Sequence, residues 1–269
     1  MLYYVRWIVG DSSIHMLYNL TILKPKGLFF MKVSEALDII TTPLGAFDSL
    51  EVYPVADLHI GDAKTDEELF KWFIKSVEAQ PNRYIILAGD LVNNAIKSSV
   101  SNVYREKYSP NEQKYMIVEW LRPISDRILC IVPGNHEERN SKDVDNDITK
   151  DIAYMLGIQD RYRENGAYIN IQFGRDIHGR HLSYTGYIVH GIGGGKTAGA
   201  PANILEKLPL TCIADFYIIG HIHRKLAFKN TYFRPNALYE RLEQHERAFV
   251  IASPWQDYGG YAQMKLYSV

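Results

Sequence analysis

The sequence has few cysteines, little net charge and no long apolar run, and each shortage argues against a class of protein. Cys130 and Cys212 are its two cysteines among 269 residues, and each lies in an apolar run. We therefore expect buried free thiols and a reducing, cytoplasmic compartment rather than a disulfide-stabilised secreted domain. The formal net charge of −1 gives no general attraction to nucleic acid. No stretch reaches the roughly 18 uninterrupted apolar residues of a membrane helix, so we expect no membrane partner.

The N-terminal part has no regular pattern. Residues 1–30 show neither helical nor strand periodicity, and they lack the basic start of a secretory signal. A helical pattern begins at 31–40 (MKVSEALDII). We expect an N-terminal extension over 1–30 and a single domain over 31–269.

The rest of the chain predicts an α/β fold. Its first half alternates strand patterns at 50–57, 84–90 and 127–133 with helical patterns at 66–80, up to about 122, and at 144–156. A polar stretch, 98–113, is predicted as a long loop. The second half predicts strands at 167–173, 181–190, 215–220, 225–229, 247–253 and 262–268. Alternation followed by a run of strands indicates an α/β core with additional antiparallel sheet.

A glycine-rich stretch, HGIGGGKTAG at 190–199, resembles a phosphate-binding P-loop. That motif requires a glycine where His190 stands, and a helix directly after the lysine. Ala198, Gly199 and Pro201 disfavour such a helix. We therefore interpret Lys196 as a solvated loop lysine, and a nucleotide-binding module remains the third alternative.

Polar side chains of the same few types follow five predicted strands. The turns are Asp57-Leu58-His59, Gly89-Asp90, Gly134-Asn135-His136-Glu137, His190-Gly191 and Gly220-His221-Ile222-His223. Ligands of α/β sheets bind outside the carboxyl ends of the strands. Burying so many imidazoles and carboxylates would be costly without compensation, which divalent metal ions can supply.

In this order the motifs D-x-H, G-D, G-N-H-E, H and G-H-x-H resemble the calcineurin-like metallophosphoesterase superfamily, over residues 57–223. The resemblance implies a two-sheet β-sandwich flanked by helices. It implies one ion held by Asp57, His59, Asp90 and His223, and a second held by Asp90, Asn135, His190 and His221, with Asp90 bridging. It also implies that His136 is the catalytic residue that contacts the phosphate. The family often has a second aspartate where Asn93 stands, a departure that concerns substrate contact only.

Oxygen and imidazole ligands suit Mn²⁺ first, with Fe, Zn²⁺ or Ni²⁺ as alternatives. Two such ions can activate a water for attack on phosphorus. We expect hydrolysis of a phosphoester, favouring a phosphodiester of a nucleic acid or nucleotide. The alternatives are a phosphomonoesterase and a non-catalytic, metal-supported scaffold of the retromer-subunit kind, which would have no need of His136. The sequence gives no indication of protein partners.

Overall fold

The computed structural model describes residues 38–256, apart from 46, 97–102, 177, 194–196 and 198. The predicted extension over 1–30, Lys196 and the strand predicted over 262–268 lie outside the described residues, as does most of the helical pattern at 31–40. The single domain over 31–269 therefore stays a prediction.

After a first strand, the described elements are three parallel strands that alternate with helices, followed by a strand-rich half. In chain order they are β1 (Ile39–Pro43), β2 (Glu51–Val55), α1 (Glu67–Glu78), β3 (Arg83–Ala88), α2 (Pro110–Leu121), β4 (Ile128–Val132), α3 (Asn135–Val144), α4 (Ile148–Leu156), β5 (Ala167–Arg175), β6 (His181–Val189), α5 (Gly199–Lys207), β7 (Phe216–Ile219), β8 (Leu226–Asn236) and β9 (Arg241–Ile251). None of the described helices is long and apolar enough to cross a membrane.

The strands form two sheets. One sheet has the order β2-β3-β4 and is parallel throughout, and the other has the order β1-β5-β6-β7-β9-β8. In the larger sheet β6, β7 and β9 run parallel, whereas β5 and β8 each run antiparallel to a neighbour. The predicted α/β fold with two sheets and flanking helices is confirmed.

Side chains that alternate along β3 show how the layers pack. Ile86 points between the two sheets, into a core that also contains Ile169 of β5. Ile85 and Leu87 point to the other side, into a core shared with the helices α1, α2 and α4. Helix α5 covers the outer face of the larger sheet through Leu205. Because β3 is buried on both faces, its sequence is continuously apolar.

Two predicted helices are present with clear start signals. Asp66 caps α1, where its side chain accepts from the backbone N–H of Leu69 at 2.9 Å. Ser109 and Glu112 form a capping box at the start of α2, so the predicted loop ends at residue 109 rather than 113.

Four local expectations were wrong. Residues 39 and 40 begin β1 instead of ending a helix, and the predicted turn that starts at Gly134 runs directly into α3, which begins at Asn135. A helix does begin at Gly199. Pro201 lies in its first turn, where backbone N–H groups have no partner within the helix, so the N–H that proline lacks is not needed. Cys130 is buried as expected, but Cys212 is only partly buried, and both are free thiols.

Candidate metal centre

All the residues singled out as site candidates meet at one end of the two sheets. Asp57 and His59 follow β2, and Asp90 follows β3. Asn135 and His136 follow β4, His190 follows β6, and His221 and His223 follow β7. The two sheets approach closely here, since a Cβ on Gly220 would lie 2.7 Å from Ala56 and 3.1 Å from His190. Parallel strands that end together explain why turns far apart in sequence converge.

Left-handed backbone conformations aim these side chains into a common space. The φ angles are 53° at Asp57, 48° at His59, 52° at Asp90, 65° at His221 and 53° at His223. Such values are uncommon outside glycine and cost about 1 kcal/mol or more each. Glycine is required at position 134, where a Cβ would lie 2.1 Å from Oδ1 of Asp90.

A first group of donor atoms comprises Asp57, His59 and His223. The Nε2 atoms of the two histidines lie 3.2 Å apart, and Oδ1 of Asp57 lies 3.5 Å from Nε2 of His223 and 4.0 Å from Nε2 of His59. Ligand atoms at about 2.0–2.2 Å from one ion lie roughly 3–4 Å from each other. The spacing therefore fits a shared cation.

A second group comprises Asp90, His190 and His221, with the amide of Asn135 between them. Nε2 of His190 lies 3.2 Å from both Oδ2 of Asp90 and Oδ1 of Asn135, and Nδ1 of His221 lies 2.7 Å from that same Oδ1. Nδ1 of His190 donates to the carbonyl of Ala88 at 2.8 Å, which leaves Nε2 facing the centre.

Asp90 lies between the two groups. Its Oδ2 is 3.2 Å from Nε2 of His190 in the second group and 3.9 Å from Nε2 of His59 in the first. Nε2 of His136 lies 3.8 Å from the same oxygen. One carboxylate oxygen therefore faces donors from both groups.

Burial keeps most of the imidazoles neutral, which is the form that binds metal. It lowers the pKa of His223 to about 4, and it lowers the pKa of His59 and His221 as well. His190 is the exception: burial acts to lower its pKa, but the carboxylate of Asp90 raises it to about 10. A proton on His190 offsets the negative charge of Asp90 in the way that a metal ion would.

The two buried aspartates, Asp57 and Asp90, provide negative charge that a bound cation would offset. Burial, with the nearby charge of Asp90, raises the pKa of Asp57 to about 8. Burial also acts to raise the pKa of Asp90, but His190 and His136 hold it well below its usual value. Oδ2 of Asp57 is buried without a hydrogen-bond partner among the described residues. Oδ1 of the same carboxylate faces the imidazoles of His59 and His223, so Asp57 is well suited to bind a divalent ion.

His136 contacts the centre through one nitrogen and the fold through the other. Its Nδ1 lies 2.8 Å from the carbonyl of Asn93, and since a carbonyl only accepts, Nδ1 carries the proton. Its backbone N–H donates to Oδ1 of Asp90 at 2.8 Å. In the neutral ring, Nε2 therefore presents a lone pair toward the space shared by both groups.

A family model described as calcineurin-like phosphoesterase matches residues 52–225. The match spans more than half of the chain and includes every site candidate. The chain belongs to the calcineurin-like phosphoesterase family. A comparison with curated proteins finds no significant match. The family and the histidine and aspartate groups together support divalent metal binding and phosphoester hydrolysis.

Glu137 is a buried residue of this phosphoesterase whose structural role the sequence motifs did not indicate. It is 1% exposed. Its Oε2 accepts from the backbone N–H groups of Asp90 and Gly134 at 3.0 and 2.8 Å, and its Oε1 accepts from that of Val92 at 3.0 Å. Burial and the charge of Asp90 raise its pKa to about 7. Glu137 thus ties the turn after β3 to the turn after β4.

The position of His190 also decides the interpretation of the glycine-rich stretch in this phosphoesterase. The stretch that follows β6 begins with an imidazole directed at Asp90, so its first residue is part of the candidate metal centre. The helix expected of a P-loop does begin, at Gly199, so its supposed absence is no evidence against that motif. The evidence is His190 itself, because it stands where the motif needs a glycine.

Proposed function

We propose that this phosphoesterase hydrolyses a phosphodiester of a nucleic acid or nucleotide, using two divalent ions. Mn²⁺ is the favoured metal, with Fe, Zn²⁺ and Ni²⁺ as alternatives. The observation that carries the proposal is the place of Asp90, whose Oδ2 faces His190 at 3.2 Å and His59 at 3.9 Å. A paired centre, when loaded, supplies an activated water and offsets charge on the phosphoryl oxygens.

The proposed ligand sets follow the two groups of donors. Asp57, His59, Asp90 and His223 would hold one ion, and Asp90, Asn135, His190 and His221 would hold the other. The first set is supported by the unpartnered Oδ2 of Asp57 and the second by the tethered ring of His190. In both sets the imidazoles reach the centre from turns that the sheets hold fixed.

His136 is the proposed catalytic residue. With Nδ1 tied to the carbonyl of Asn93, a second proton can be taken up only at Nε2, the atom that faces the centre. From Nε2 it would be donated to the leaving alkoxide or to a phosphoryl oxygen. Burial lowers the pKa of His136, so a proton held there is readily given up.

The preference for a nucleic acid or nucleotide rests on an exposed aromatic side chain, Tyr104, in a segment bound to the turn after β3. Tyr104 is 92% exposed. It lies two residues before Glu106, whose Oε1 accepts from the side chain of Asn93 at 2.7 Å, so its segment borders the turn that holds His136. A base can stack on such a ring. We further propose a cytoplasmic location, which the two free cysteines support.

The proposal is tested by assaying bis-p-nitrophenyl phosphate, p-nitrophenyl phosphate and single-stranded DNA with Mn²⁺, Zn²⁺ and Ni²⁺. We expect the diesters to be cleaved faster than the monoester. His136→Gln should lower the rate about 10²–10⁴-fold while metal content stays at the parental level. His181→Gln, at an exposed strand end, is the matched control.

Three results would change the conclusion. Faster cleavage of the monoester would favour the phosphomonoesterase. Absence of hydrolysis with every metal would favour the scaffold. A His136→Gln variant that loses metal would instead make His136 a ligand, which the closeness of His59, Asp90 and His136 permits.

A further inference from the structure

A chain of hydrogen bonds leads away from His136 to a carboxylate outside the metal centre. The carbonyl of Asn93 accepts from Nδ1 of His136 at 2.8 Å and from Nη1 of Arg139 at 3.3 Å. The side chain of the same asparagine donates through Nδ2 to Oε1 of Glu106 at 2.7 Å. Asn93 is 3% exposed, so its own polar atoms are shielded from water.

Glu106 is itself held in place by a buried amide. Its Oε2 accepts from Nε2 of Gln113 at 3.0 Å, and that Nε2 also donates to the carbonyl of Tyr108 at 2.8 Å. Gln113 is fully buried, and its Oε1 accepts from the backbone N–H of Asn94 at 2.8 Å. Gln113 therefore binds the turn after β3 through Oε1 and the segment just before α2 through Nε2.

Gly61 packs closely against this pair. Gly61 has a φ of +105°, and a Cβ there would lie 2.2 Å from Nε2 of Gln113 and 2.8 Å from Oε2 of Glu106. The backbone N–H of Lys107 donates to the carbonyl of Gly61 at 2.8 Å. Both oxygens of Glu106 are thus directed at amide donors, although its carboxylate is only half-buried and could otherwise turn to water.

Asn93 is the point at which this arrangement acts on His136. Its backbone N–H donates to the carbonyl of Ile60 at 2.8 Å, and Glu106 fixes its side chain. Because the backbone N–H and the side chain of Asn93 are both held, its carbonyl keeps one orientation, toward Nδ1 of His136. That orientation sets which ring nitrogen carries the proton and which way Nε2 points.

We propose that Glu106 is a positioning residue for His136. By holding the side chain of Asn93, it keeps the Asn93 carbonyl on Nδ1 and so keeps Nε2 directed at the substrate phosphate. The proposal rests on the proposed function of His136, and it adds a residue that lies outside the five motif turns.

The test compares Glu106→Ala with two other variants of the same region. Glu106→Ala should lower kcat about 10- to 100-fold, with KM and metal content close to the parental values. Glu106→Gln keeps an oxygen for Nδ2 of Asn93 but turns its amide nitrogen toward Nε2 of Gln113, which is also a donor, so its kcat should fall between those of Glu106→Ala and the parent. Glu112→Ala is the matched control, because it breaks the capping box of α2 without touching Asn93, and its kcat should be parental.

Two further measurements separate positioning from a loss of stability. Asn93→Ala should reproduce the effect of Glu106→Ala, and the double variant should be no worse than either single one, because both remove the same link. Long-range ¹H–¹⁵N spectra should show His136 protonated at Nδ1 in the parent and a mixture of tautomers in Glu106→Ala. The spectra need no substrate, so they test the proposal even if the parent hydrolyses no phosphoester.

Either of two results would overturn the proposal. One is a Glu106→Ala variant with the parental spectrum of His136. The other is a loss of kcat in Glu106→Ala that Glu112→Ala matches, since this would trace the effect to the stability of the segment. A parent that is inactive on every phosphoester, but whose His136 tautomer depends on Glu106, would refute the proposed function and leave the positioning intact.

Discussion

Replacing Glu137 by alanine should destabilise the whole phosphoesterase domain, because three buried backbone N–H groups would lose their acceptor at once. These belong to Asp90, Val92 and Gly134, at 2.8–3.0 Å from the carboxylate. A buried donor left without a partner costs about 1–3 kcal/mol. Allowing for partial relaxation, we expect the free energy of unfolding to fall by about 3–6 kcal/mol.

Glutamine at the same position should cost much less. Its remaining oxygen can replace Oε2, which accepts from two of the three groups, so only the bond from Val92 is lost. We expect a loss of about 1–3 kcal/mol for Glu137→Gln. Glu78→Ala, at the exposed end of α1, serves as the control and should stay within about 0.5 kcal/mol of the parent.

Denaturant unfolding of the metal-free protein measures all three variants on one scale. The midpoint should fall in the order Glu78→Ala, Glu137→Gln, Glu137→Ala, with a constant slope. A Glu137→Ala variant within 1 kcal/mol of the parent would refute the reasoning. So would a glutamine variant less stable than the alanine variant, since the carboxylate oxygens would then not be acting as acceptors.

Three further changes test other parts of the structure. Asp90→Ala should lower metal content at both proposed sites, and elemental analysis showing two ions per chain at parental affinity would refute the bridging role. Gly134→Ala should lower the melting temperature strongly, because its Cβ would lie 2.1 Å from Oδ1 of Asp90; Gly199→Ala, with nothing within 4 Å, should melt with the parent. Cys212 should react with the thiol reagent DTNB before Cys130, because burial raises the pKa of Cys130 to about 12; equal labelling rates in the folded protein would contradict this.

The strands that carry the metal centre could be predicted because local sequence determines them. β2 and β3 are short apolar runs that each lead to an aspartate, and their alternation with helices indicates parallel pairing. Parallel strands end at the same edge, so the convergence of Asp57 and Asp90 follows from the order of elements. The proposed metal ligands are polar residues that follow apolar strands, so a single sequence is enough to recognise them as candidates.

The parts that the sequence did not predict depend on distant contacts or on exposure. Glu137 binds the backbone of Asp90, 47 residues earlier, and no local pattern encodes that pairing. β8 and β9 run for 11 residues each, far beyond the apolar stretches that predicted them. Their outer parts are largely exposed on both faces, so hydrophobic and polar residues do not alternate there and the strand period is lost.

Five residues at the candidate metal centre have a left-handed backbone conformation, and the surrounding sheets must offset the free energy that this conformation costs. Asp57 and His59 have conformations that glycine would adopt without cost, yet glycine has no ligand atom to offer. Such strain persists only where the surrounding structure enforces it. Here the ladder between β2 and β3 continues past the strand ends, with the N–H groups of Asp57 and His59 donating to Gly89 and Asp90 at 3.1 and 3.0 Å. The buried sheets therefore set the spacing of the donor atoms, at 3.2 Å between His59 and His223, 3.5 Å between Asp57 and His223 and 3.2 Å between Asp90 and His190.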